Sequence, residues 1–181
     1  MREEIKRKNS QKDELINQII EMEWEMFDHV HNAGGRAPCQ DDEWTFYTMR
    51  YSQHNAFSAD TLKSYEQDLL QAIREGRNLL TEKYAYMMEF TDPDYFDQNL
   101  RDHLPRIFSG TGRPLFGTGE QDVSFHIYAI GELKTYSVRT LLLYLQDIHK
   151  ERNPSFVIHR TTAEFYGYKN LDDAEQKLRT R

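Results

Sequence analysis

The chain has 181 residues, with 23 basic and 30 acidic side chains, a formal charge of -7, and eleven Tyr, ten Phe and two Trp. It is long enough to bury a core as one helical domain over residues 1–181 and too aromatic to be disordered, and its acidic balance disfavours nonspecific binding to nucleic acid or an anionic membrane while leaving room for a local basic patch. A single cysteine excludes an intrachain disulfide, a Cys-rich zinc site and a CxxC redox pair, and the lack of a long apolar run or signal-peptide core points to a cytoplasmic protein.

The pattern predicts a first helix from about Glu3 to His31, with Ser10 or Asn9 as a false start. Ile16, Ile19, Ile20, Phe27 and Val30 share one face of it, and Glu23 falls in the middle of that face, whereas Glu21 and Glu25 point away. A carboxylate on an apolar seam is costly unless it is paired. Glu23 is therefore either a structural partner for an Arg, Lys or Tyr on a facing helix or a catalytic or ligand-binding group. Gly34-Gly35 and Pro38 break the chain, and a second helix starts near Cys39 to Asp41, with Asp41 and Asp42 at the positive end of its dipole. Asp42, Phe46, Met49 and Gln53 lie along one side of this helix and Trp44, Tyr47 and Tyr51 along the other. Large side chains on both sides predict a central helix with Asp42, Arg50 and Gln53 partly buried.

Ser58 or Asp60 caps the next helix. Leu62, Tyr65, Leu69, Ile73, Gly76, Leu80, Tyr84 and Met87 keep a single phase, which predicts one helix from Asp60 to Phe90 in which Gly76 admits a close neighbour; a helical hairpin is the alternative. Thr91-Asp92-Pro93 stops that run and opens a short helix through Leu100. Residues 105–121 read as a loop. Its two Gly-Thr-Gly units lack the preceding strand and following Lys-Ser or Lys-Thr of a phosphate cradle.

A further long helix is predicted over about Asp122 to Arg152, with a break near Gly131 as the alternative. Ile127, Ile130, Val138, Leu141, Leu145 and Ile148 form one apolar face, and Phe125, Tyr128, Glu132, Tyr136 and Leu143 another, so that Glu132 and Tyr136 stand one turn apart. Ser155 to His159 reads as extended, with short closing helices at Thr162–Tyr166 and Leu171–Arg179. No internal repeat is visible.

Several chemistries compete for the polar residues. Cys39 sits where opening amides stabilise a thiolate and Gln40 is a conceivable oxyanion donor, but Asp41 and Asp42 oppose a lowered thiol pKa, and a lone cysteine is commonly a small hydrophobe. Glu25 with His29, and Asp28 with His31, have helical spacing but lie on the polar face, so no metal ligand is assigned. Glu23, Asp42 and Glu132 sit on or beside interior faces, where Arg50, Lys83 and Tyr65 can pair with them or clamp an anion.

The Met22-Glu23-Trp24 turn, the run from Ala37 through Cys39, Gln40 and Asp41 to Asp42, the run from Gly76 to Tyr84 and the run from Gly131 to Ser137 together resemble a bacterial family known as domain of unknown function 4125, over roughly Leu15 to Leu178. The resemblance implies a stand-alone or fused bacterial domain and no particular activity. It adds weight to Glu23, Cys39, Gln40, Asp41, Arg77, Asn78, Glu82, Lys83 and Glu132.

The expected fold is an all-α, multi-helix bundle of long amphipathic helices with a polar-lined interior pocket for a small polar or anionic molecule. Glu23, Cys39 and Glu132 are the candidate catalytic groups; Gln40, Asp41, Asp42, Arg50, Gln53, Arg77, Asn78, Glu82, Lys83 and Tyr136 are the candidate ligand-binding groups. No cofactor is specified, no nucleic acid or membrane is expected as a partner, and a homo-oligomer is compatible with the pattern. The alternative is a non-catalytic interaction or regulatory module, in which the same polar residues are structural and the partner meets a helix face.

Overall fold

Ser10 is a true start. In a computed structural model describing residues 6, 7, 10–31, 34–104, 120–150 and 154–179 (backbone alone at 103 and 120–126), its hydroxyl accepts from the Asp13 N–H and opens α1, Gln11–Asp28. Residues 6 and 7 are non-helical, so the helix does not reach back towards Glu3. Instead the Arg7 guanidinium lies over the Phe165 ring, and the Arg7 backbone is tied to Tyr47 and Asn17.

A short turn at Pro38–Asp41 leads into α2, Glu43–Asn55, and α3 follows as Ala59–Arg74 with Ser58 as its cap. The long helix expected from Asp60 to Phe90 is in fact a hairpin. Gly76 adopts φ +68, its N–H donates to the Ile73 carbonyl, and the Arg77 N–H donates back to the Ala72 carbonyl. This left-handed closure is open to glycine at little cost and ends α3. Asn78 then caps α4, Leu79–Thr91. Phase continuity survives because the two helices happen to turn their apolar stripes to the same interior.

A single turn, α5 (Pro93–Tyr95), runs on through Phe96–Leu100 to Arg101–His103. Both Gly-Thr-Gly units lie outside the described residues. The second long helix expected from sequence is likewise two: α6, Glu120–Leu133, and α7, Val138–His149, with Ser137 capping the latter. The break falls after Leu133 and not at Gly131. Ser155 to His159, expected to be extended, lie inside α8, Pro154–Phe165, which Pro154 opens; α9, Leu171–Arg179, closes the described chain. All nine helices and no strand are found among the described residues.

The core lies between α1, α2, α3 and α4, around the wholly buried Ile16, Ile19, Ile20, Tyr47, Leu62 and Leu69. Around it the helices pair reciprocally. α2 packs on α8 as α4 packs on α6, and α3 and α7 face each other. Asp68 of α3 accepts from the Ser137 N–H at 3.0 Å and the Thr140 hydroxyl at 2.6 Å, while Asp147 of α7 accepts from the Ser58 N–H at 2.8 Å and the Thr61 hydroxyl at 2.6 Å. Tyr65 meets Tyr136 with ring centroids 4.7 Å apart, and Tyr144 meets Phe57 at 5.1 Å. These are the contacts of an approximate twofold relating α2, α3 and α4 to α6, α7 and α8. A repeat does exist, therefore. Ser58-Ala-Asp-Thr61-Leu62 with Tyr65, Gln67 and Asp68 recurs as Ser137-Val-Arg-Thr140-Leu141 with Tyr144, Gln146 and Asp147. By the same register Gln53 and Glu132 are equivalent positions, and they touch.

Candidate functional site

Four helices deliver charge to the middle of this arrangement. Glu23 stands on the inner face of α1, Arg50, Gln53 and His54 on α2, Lys83 on α4 and Glu132 at the end of α6, with Tyr65 and Tyr136 beside them. Gly131 sets the approach of α6 to α4. A Cβ there would lie 2.7 Å from the Met87 side chain and 2.9 Å from the Lys83 carbonyl, so only glycine lets Glu132 come this close to Lys83.

Arg50 is the hub. Its Nε donates to Glu23 Oε2 at 2.9 Å and its Nη2 to Glu23 Oε1; Nη2 also donates to Glu132 Oε1 and Nη1 to Glu132 Oε2, both at 3.0 Å. Nη1 makes a further bond to Gln53 Oε1 at 2.7 Å. All five guanidinium N–H groups are thereby used, in two forked pairs and one amide contact. Glu23 also accepts from the Tyr65 hydroxyl at 2.8 Å and faces His54 Nε2 at 3.0 Å. Glu132 accepts from Gln53 Nε2 at 2.6 Å, the Tyr136 hydroxyl at 2.8 Å and Lys83 Nζ at 2.9 Å. Two acids and two bases balance formally, all four nearly without solvent exposure.

Burial raises the Glu23 carboxyl, but Arg50 and then His54 more than offset it and hold the group at about 2. Burial likewise acts upward on Glu132, and Arg50 with Lys83 brings it well below the carboxylate range. The Tyr65 and Tyr136 phenols are pushed up, first by burial and next by the carboxylate each serves. The centre at neutral pH is thus two ionised acceptors ringed by donors. A general base works best with a pKa near the working pH, and these carboxylates lie far below it.

Among the described residues, two groups in the centre keep unused capacity. Lys83 Nζ has three N–H groups, one bonded to Glu132, and sits 3.5 Å from the centroid of the Tyr128 ring, a cation–π contact. Tyr84, whose phenol is raised by burial first and then by Tyr128 and Cys39, adds a second ring 5.9 Å from Nζ. His54 Nδ1, fully buried, finds no hydrogen-bond partner among the described residues. Gln53, Tyr84 and Tyr128 are half-buried and mark the edge nearest solvent, with Cys39 exposed beyond Tyr84.

Glu23, Arg50, Gln53, Lys83, Glu132 and Tyr136 are therefore brought together as the sequence suggests. The other candidates do different work. Gln40 is buried, but its amide nitrogen donates to the Phe27 and Val30 carbonyls and its oxygen accepts from the Ala37 N–H, closing the end of α1. Asn78 helps from the other side, bonding the Met26 carbonyl at 2.7 Å while its oxygen caps α4. Asp41 pairs with Arg36, and Arg36 also holds Asp28, one of the acids considered for a metal. Asp42, expected to be partly buried, is exposed and caps α2, where the Thr45 N–H lowers its pKa. Arg77, in the turn before α4, makes a forked pair with Glu82 of α4 at 2.8 Å. The Gly-Gly-to-Asp42 stretch and the segment after Gly76 thus clasp the carboxyl end of α1.

His54 is the site residue that sequence reasoning passed over. Its signal is positional: it follows Arg50 by one helical turn and so shares its side of α2. Among the described residues, no helix is long and apolar enough to cross a membrane and no group of three or more His, Cys, Asp and Glu side chains is arranged to hold a metal ion. No curated protein and no solved structure matches the chain. One family model does, over residues 13–176, and it takes in every side chain of the charged centre: the chain belongs to the family described as protein of unknown function, DUF4125.

Proposed function

We propose that this is a binding protein for a small polar molecule bearing a hydrogen-bond acceptor, received at the half-buried edge of the charged centre. Lys83 and Gln53 contact it, and Tyr84 and Tyr128 flank it. The observation that carries the reading is the state of Lys83, a buried cation with an aromatic face beneath it and, among the described residues, one carboxylate partner and donor capacity left over. The balanced charge of the surroundings favours a neutral or singly charged ligand over a polyanion. Glu23 and Arg50 support the geometry from behind, and the low carboxylate pKa values favour binding over acid/base catalysis.

A second reading has its own observation. Arg50 has no unused N–H, which suits a centre whose whole purpose is to lock four helices in register. Native mass spectrometry of the purified chain, with a thermal-shift metabolite screen, separates the two. Binding predicts a bound mass or a stabilising metabolite whose effect is lost in a folded Lys83→Met variant. If wild type carries nothing and no metabolite shifts it, the locking role stands alone.

A further inference from the structure

The approximate twofold leaves one place without its counterpart. In the first half α1 lies against α3, where Leu62, Tyr65 and Leu69 are 0%, 2% and 0% exposed. Their equivalents on α7 are Leu141 and Tyr144, both half-buried, and Ile148, which is 42% exposed. No helix among the described residues takes the place of α1 on α7. Farther round the same helix Val138, Leu142 and Leu145 are 61%, 56% and 49% exposed, at the positions where α3 carries Ala59, Lys63 and Glu66. Apolar residues scattered singly over a surface are ordinary, whereas a stripe at helical spacing on one copy of a repeat and not on the other is a built surface.

The charge around the stripe says what fits it. The only acid of α7, Asp147, is turned inward to Ser58 and Thr61. The exposed polar residues left are Arg139, Gln146 and His149, followed by Lys150, on a chain whose total charge is -7. The helix that fills the equivalent place in the other half is itself acidic. α1 carries Asp13, Glu14, Glu21, Glu23, Glu25 and Asp28 against Lys12 alone. We propose that the outer face of α7 docks an acidic amphipathic helix of a partner protein, laid along the exposed Val138, Leu142 and Leu145 stripe beside the place that α1 takes on α3. Leu142 and Leu145 enter its apolar face and Arg139 and Lys150 meet its flanking acids.

The probe is a fluorescein-labelled peptide of residues 10–31, an acidic amphipathic helix taken from the protein itself, titrated into the full-length protein by anisotropy. Saturable binding of one peptide per chain is expected, weakened by about tenfold or more in Leu142→Glu or Leu145→Glu. It should weaken several-fold in Arg139→Glu and at raised salt, and be unchanged in Arg74→Glu at the far end of α3. Leu142→Glu should melt like wild type, because its side chain is exposed. Equal binding of a scrambled peptide, or binding indifferent to Leu142→Glu, as when the peptide merely exchanges with α1, overturns the proposal. So does a wild-type dimer that Leu142→Glu splits in sedimentation, which would make a second copy the occupant. A Leu142→Glu variant that melts well below wild type would mean that the chain covers this stripe itself, and overturns it too.

Discussion

Asp68 and Asp147 each close the first turn of the helix to which the other belongs. Each receives a backbone N–H and a threonine hydroxyl, so that α3 and α7 are fastened at both ends by the same device in opposite directions. Charge-assisted bonds of this kind contribute about 1.5–3 kcal/mol each when buried. Asp68→Asn and Asp147→Asn should therefore lower stability by similar amounts, about 1–3 kcal/mol each, in chemical denaturation. Markedly unequal losses would speak against the repeat as an energetic unit.

Acid should open the centre over a defined range. The Glu23 carboxyl is held at about 2 against an ordinary 4.5, so its stabilisation is complete above the unfolded value and disappears as pH falls from about 4.5 through about 2. A shift of this size corresponds to roughly 3 kcal/mol. Urea midpoints measured across this window should fall steeply for wild type. Glu23→Gln should start lower and show a shallower fall.

Arginine at position 50 cannot be replaced by its nearest analogue. Lysine keeps the charge but offers three donors from a point and cannot fork to two carboxylates. Arg50→Lys should cost about 2–4 kcal/mol, and Arg50→Met, which leaves Glu132 with Lys83 as its cation and takes the Arg50 guanidinium from Glu23 altogether, should cost more. Thermal unfolding of both variants at pH 7 measures the difference.

Gly131→Ala tests the approach of α6 to α4. The added methyl meets a backbone oxygen as well as the flexible Met87, so part of the clash cannot relax. A loss of about 1–3 kcal/mol is expected by calorimetry. A stabilised variant would mean that the two helices can separate freely.

Much of the centre was readable from helical phase alone. Glu23 on an apolar face and Glu132 near Tyr136 announce buried carboxylates, and Arg50 and Gln53 follow from a helix with two large faces. Phase failed at the turns. Apolar stripes continue in register across Gly76 and across residues 134–137, and nothing in the spacing distinguishes a bent path from a straight one when both present the same residues inward. The break after Leu133 left Val138, Leu145 and Ile148 at the surface, where a straight helix would have carried them into the core. The polar runs misled for a different reason. Gln40, Asp42, Arg77 and Asn78 satisfy helix ends or pair locally, and such bonds depend on backbone groups that a side-chain pattern does not display. The repeat was hidden because only its capping and ring positions recur, while the positions between them have diverged to serve different surroundings.

The reach of Arg50 across the chain bears on how the protein comes off the ribosome. Until α6 has been made, Arg50 and Lys83 have Glu23 as their one carboxylate in this group, and a nascent segment that collapsed at that stage would trap surplus positive charge away from water. The charge balance therefore favours a wet interior until Glu132 arrives, so that final drying of the amino-terminal helices should wait on a residue encoded far downstream.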